Sequence, residues 1–182
     1  MRFALVLSTL LILSFTASYA ESPESTAATF FEAIADEDYV LAAGLFDADA
    51  LSSFRQTLAF LADLDESQRD QAYSALFGQG ATPQSIAELN DAQFFSAFLR
   101  ISMSQTGGPD IFAKSKMEYL GHVTEAPDIA HLVVRMTVDI DGGEFEKMTV
   151  VSSRKVGDQW KLLMTGEVRG ISDKLRSAFG VD

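Results

Sequence analysis

Between residues 27 and 101 apolar side chains recur at steps of three and four, and from about residue 116 onwards they alternate with polar ones. The first spacing buries one face of a helix and the second buries one face of a strand. The chain therefore divides into a helical half over residues 21–113 and a strand half over residues 114–169. A short helix over 172–179 closes it.

The helix starts are marked by capping residues. Ser22-Pro23-Glu24 offers a capping hydroxyl, a proline for the first position and an acid near the positive helix end. Ala27, Phe30, Phe31 and Ile34 follow on one face. A short helix is predicted over 39–46. Asp47 or Asp49 then caps a longer helix with Leu51, Phe54, Leu58 and Leu61 in line. Asp65 with Gln68 three residues on reads as the cap of a helix that ends at Gly78. Thr82-Pro83 opens a short helix, and Asn90 or Asp91 opens the last. Phe94, Phe95, Phe98, Leu99 and Ile101 give that helix a broad apolar face, and Gly107-Gly108-Pro109 ends it.

The alternating half predicts four strands, over 114–125, 128–141, 144–156 and 158–169. Short connections at Ala126-Pro127, Gly142-Gly143 and Gly157 make consecutive strands pair antiparallel, as a meander. In the second strand Leu132, Val134, Met136, Val138 and Ile140 share one face, and His131, Val133, Arg135, Thr137 and Asp139 share the other. One apolar and one mixed face call for helices on one side only. The expected fold class is α+β, with N-terminal helices packed on one face of a curved four-stranded antiparallel meander sheet. Leu175 and Phe179 are expected to pack the last helix onto the body.

Residues 1–20 stand apart from this pattern. Arg2 precedes an apolar run, and Ser18-Tyr19-Ala20 places small residues at the first and third positions before a cut. That is the pattern of a secretory signal. The run is short for a spanning helix, which needs ~20 apolar residues. The expectation is a mature single domain over 21–182, exported, with the Gram-negative periplasm as its address. The chain holds no cysteine. Disulfides, thiol catalysis and a lipid-anchored first mature residue are thereby excluded, and packing must supply the stability.

Charge narrows the partners. The formal net charge is −12. Residues 21–113 hold fifteen acids against Arg55, Arg69 and Arg100, whereas residues 114–182 hold eleven acids and ten bases. An acidic chain repels phosphate backbones, so no nucleic-acid partner is expected, nor any membrane after signal removal.

Two passages resemble the nuclear-transport-factor-2-like, SnoaL-like cone-fold superfamily. One is AATFFEAIADEDYVLAAGLF over 27–46, similar to its opening helices. The other is 116–167, with Gly121-His122-Val123 leading into 130–136 and Asp158-Gln159-Trp160-Lys161-Leu162-Leu163 closing the run. Residues 51–108 carry more helix than a minimal member. The resemblance implies a helix–sheet cone and sheet-to-sheet homodimers. It selects no activity, because the superfamily spans isomerases, cyclases, dehydratases and ligand binders without one shared site motif.

Candidate chemistry is sparse. His122 and His131 are the only histidines, and they flank the Ala126-Pro127 turn, where they could face each other as an acid/base or metal-binding pair. A hydrolytic zinc site takes three protein ligands, so ordinary strand residues are the preferred reading. Asp139-Ile140-Asp141-Gly142-Gly143-Glu144 lacks the third acid and distal Glu of a calcium loop. Asp47-Ala48-Asp49 and Asp63-Leu64-Asp65-Glu66 stand at helix starts, where capping explains them. Arg135, Glu118, Glu167 and Arg169 are expected as cross-strand ion pairs on the mixed face. No G-x-S-x-G elbow or phosphate loop is present. No cofactor and no metal are expected, and no catalytic or ligand-binding residue is assigned. The expected role is a non-enzymatic exported module that binds a small apolar ligand or a protein partner. The alternative is a small isomerase- or dehydratase-type enzyme with an acid/base residue inside the cone.

Overall fold

The computed structural model describes residues 22–140, 143–164 and 166–179. Residues 1–20, the expected signal segment, lie outside them. Helix α1 (Pro23–Ala35) starts at a capping box in which Ser22 and Ser25 satisfy each other's backbone N–H groups. Helix α2 (Tyr39–Gly44) is capped by Asp38, and α3 (Ala48–Thr57) by Asp47. The long helix expected beyond Asp47 breaks at Leu58 into a 3-10 turn (Ala59–Asp63), which still buries Phe60 and Leu61. Helix α4 (Glu66–Phe77) is capped by Asp65, α5 (Pro83–Ala87) by Thr82 and α6 (Asp91–Thr106) by Asn90.

Gly107 ends α6 in the left-handed conformation, at φ 65°. The chain does not pass straight into the sheet. Gly108-Pro109 opens a further helix, α7 (Gly108–Lys114), so Lys114 is helical and the first strand, β1 (Lys116–Ala126), starts later than expected. β1, β2 (Ile129–Ile140), β3 (Gly143–Val156) and β4 (Gln159–Leu162) form an antiparallel meander in sequence order. Of the expected connection Gly142-Gly143, Gly143 instead begins β3 and pairs with Ile140, and residues 141 and 142 lie outside the described residues. β4 is much shorter than predicted. Glu167 and Arg169 belong to the last helix, α8 (Gly166–Phe179), and not to a strand.

Two apolar clusters hold these elements. The larger lies wholly within the helical half, where α6 packs against α2, α3 and α4. Phe54 of α3 meets Phe95 and Phe98 of α6 at ring-centroid distances of 5.0 and 4.9 Å. Leu175 and Phe179 of α8 pack on this cluster. The Arg55 guanidinium donates to the carbonyls of Leu89, Ala87 and Ile86 and to Asp91, which ties α3 to the end of α5 and the start of α6.

The smaller cluster joins helices to sheet. Ala27 and Phe31 of α1 meet Leu132 and Val134 of β2, and Phe112 of α7 stacks on Phe31 at 5.6 Å. This is the predicted apolar face of β2, but the helices cover only part of it. Met136 is partly buried, and beyond it the sheet runs on as a wing. Of the exposed large apolar side chains among the described residues, all but Val40 and Ile111 stand on β1 and β3.

Candidate functional site

The two histidines are on opposite faces of the sheet. β1 makes two bulges, between Tyr119 and Gly121 and between Thr124 and Ala126. With that register His122 lies opposite Leu132 on the helix side, whereas His131 lies opposite Val123 and Ser152 on the mixed face. An inserted residue exchanges the faces of all that follows, so strand alternation alone could not place them.

His131 is held at both ring nitrogens. Its Nδ1 is 2.8 Å from the Ser152 hydroxyl, and its Nε2 is 2.7 Å from Glu125 Oε2. Glu125 is the extra residue of the second bulge, which aims its side chain across β2. An ionised carboxylate only accepts, so it is matched by the tautomer with its proton on Nε2, in which Nδ1 is free to accept from the Ser152 hydroxyl.

A cleft of about 480 Å³ opens beside this pair, lined by His131, Ser152 and Arg154 from the sheet and by Asp47, Asp49 and Ser53 from the start of α3. Its position follows from the edge of β4. Asp47 N–H donates to the Leu162 carbonyl at 2.9 Å and Leu162 N–H to the Leu45 carbonyl at 2.8 Å, an isolated parallel bridge between Phe46 and Leu162. The Asp47 carboxylate is buried and caps α3 through the N–H groups of Asp49 and Ala50. Arg154 Nη1 stands 3.8 Å from Asp47 and 4.0 Å from Asp49, an ion pair longer than a hydrogen bond.

On the opposite face His122, Tyr119 and Glu24 meet. The Tyr119 hydroxyl is hydrogen-bonded to His122 Nδ1, and Glu24 Oε1 lies 3.5 Å from the same nitrogen. Partial burial pushes the Glu24 carboxyl up. Hydrogen bonds from its own backbone N–H, Ser22 and Tyr119, with the His122 charge, outweigh that and hold it below the usual carboxylate range. Desolvation, then the hydrogen bond to Glu24 and its charge, push the Tyr119 hydroxyl up.

A groove of about 950 Å³ runs between α2, α5 and α6, floored by Phe77, Ile86 and Ala97 and rimmed by Glu37, Asp38 and Arg100. Arg135 bonds Glu118 at 2.9 Å and lies 3.2 Å from Glu146, the ion pairing expected for the mixed face. Asp47 and Asp65 cap helices, as their positions suggested. Phe94, Phe95 and Phe98 are core. Among the described residues no group of three or more acids and histidines could hold a metal ion, and no helix is long and apolar enough to cross a membrane.

The sequence pattern singled out His131 but not Ser152, Arg154 or Glu125. Their only signal is the pairing register, which places Ser152 opposite His131 and Arg154 two residues on. Fold and site together define an α+β protein with helices over one part of a meander sheet and a polar cleft at the other side of it. No family model, curated protein or solved structure matches this chain.

Proposed function

We propose that this chain is an exported binding module that works through the uncovered wing of its sheet, and that a second copy of the chain covers that wing. The observation that carries the reading is a set of exposed apolar side chains on β1 and β3, spread over both faces of the sheet. Phe145 is 59% exposed, Met148 61% and Val150 49%, with Met117, Tyr119 and Leu120 alongside on β1. The register puts Met117, Tyr119 and Phe145 on the face that carries Leu132 and Val134, and Met148 and Val150 on the face that carries Arg135. Exposed apolar surface of this kind marks an interface. Charge favours self-pairing here. The wing interleaves Glu118, Arg135, Glu146 and Lys147, so it can complement itself, while the strongly acidic helical half stays at a distance.

The order of helices, then a meander with Trp160 in its last strand, is in keeping with the cone-fold superfamily and its sheet-to-sheet dimers. Export rests on the charged start, apolar run and small residues of 1–20, with the Gram-negative periplasm as the address. A small apolar ligand has its own observation, the 950 Å³ groove between α2, α5 and α6. The isomerase or dehydratase reading asks for a buried acid or base free for chemistry. Asp47 is the one buried acid among the described residues, and capping α3 occupies it.

Light scattering on purified residues 21–182 tests the dimer. The expected result is a two-copy mass that Phe145→Lys with Met148→Lys reduces to one copy without loss of helix signal. A single-copy mass for the unaltered protein across the accessible concentration range overturns it.

A further inference from the structure

We propose that Ser152 is a nucleophile for acyl transfer from small carboxylic esters, with His131 as its base. The cleft is lined by His131, Ser152 and Arg154, near the start of β2 and the end of β3, and its chemistry goes beyond the binding role and does not depend on it.

Three observations carry it. The first is polarity. Glu125 takes the Nε2–H of His131 at 2.7 Å, which leaves the Nδ1 lone pair facing the Ser152 hydroxyl at 2.8 Å. That is the relation of nucleophile, base and orienting carboxylate that activates a serine. The second is rigidity. Ser152 and His131 are directly opposite on the central pair of strands, so the sheet fixes their separation, and a bulge supplies the third group. The third is access. Ser152 and His131 line an open cleft of about 480 Å³ and are not sealed within the core. Arg154 stands on the same strand and face, two residues on, and its long pairings with Asp47 and Asp49 leave its donors able to meet negative charge that develops on a carbonyl oxygen.

The reaction balances with water as the second substrate. Ser152 Oγ bonds to the ester carbonyl carbon and its proton passes to His131 Nδ1. The bond from carbon to the alkoxy oxygen breaks, and the leaving alcohol takes that proton. Water then attacks the acyl-serine, again through His131. The bond from carbon to Ser152 Oγ breaks, the serine regains its proton and a carboxylic acid leaves. Ser152 and His131 are the catalytic residues, and Glu125 is a positioning residue acting through His131.

The test uses residues 21–182 with p-nitrophenyl acetate and, separately, a fluorophosphonate. Intact mass and peptide mapping are expected to show one adduct, on Ser152, that is lost when the protein is unfolded before exposure. His131→Gln should slow labelling at least about tenfold, since a positioned general base contributes ~10²–10⁴. His122→Gln, on the other face, should not slow it. Glu125→Gln should lower kcat for p-nitrophenyl acetate with KM unchanged, a split that mere loosening of the cleft would not give. The proposal is overturned if folded protein carries no Ser152 adduct, if the adduct is elsewhere, or if His131→Gln labels as fast as the unaltered chain. None of these outcomes bears on the copy number, so the two proposals fail separately.

Discussion

The helical half and the sheet wing use the same kinds of side chain to opposite ends. In the helical half Phe54, Phe77, Phe94, Phe95 and Phe98 are buried in one cluster. On the wing Phe145, Met148 and Val150 stand open. Both regions carry large apolar side chains, so hydrophobicity alone does not distinguish them. Geometry does: α6 has neighbours on several sides, whereas the sheet extends past the single layer formed by α1 and α7. Burial in the first region holds the monomer together, and exposure in the second is available for association.

The largest test of that contrast is a pair of truncations. Phe54→Ala should cost about 3–5 kcal/mol in urea unfolding, as expected for a large core ring. Phe145→Ala should change the monomer by less than about 0.5 kcal/mol. Equal costs would show that the wing is packed within one copy. At the seam, Leu132→Ala should cost about 2–5 kcal/mol, and both regions should still melt in one transition; two transitions would mean that the sheet and helices fold apart. Asp47→Ala removes the α3 cap and the acid nearest Arg154, and should cost about 1 kcal/mol by the same measurement. The smallest effect concerns Glu24, which links α1 to β1. Its carboxyl is lowered in the fold, so its contribution is full above the unfolded value near ~4.3 and fades as pH falls through the lower folded value. Glu24→Gln should therefore lose less stability than the unaltered chain when unfolding midpoints are compared at neutral and acid pH. An identical pH slope would detach Glu24 from the junction.

Helix starts were legible because capping is local. Ser22, Thr82 and Asn90 each meet the N–H three residues on, and nothing distant is needed to see it. The buried face of β2 was legible at Leu132 and Val134 for the same reason. α7 was not, because a glycine that ends one helix and a proline that starts the next give the same signal as a plain stop. The apolar run Leu162-Leu163-Met164 continued a strand pattern past the point where the chain leaves β4 for α8. The cleft was least legible of all. Glu125, His131 and Ser152 come from three strands, and two inserted residues in β1 decide which of them meet. Pattern along one strand carries no information about a bulge in its neighbour.

The bridge between Phe46 and Leu162 limits how this sheet can grow. It occupies the outer side of β4 with backbone already committed to Leu45 and Asp47. Among the described residues β4 pairs with β3 only over Ser153–Val156, so strand addition is left to β1 and to the stretch of β3 from Gly143 to Val151. Two copies that met edge to edge along β1 would exhaust each other's open hydrogen-bonding row. Such a pair would keep the open stretch of β3 on each outer side, where the charges of Glu144, Glu146 and Lys147 stand against further strand addition.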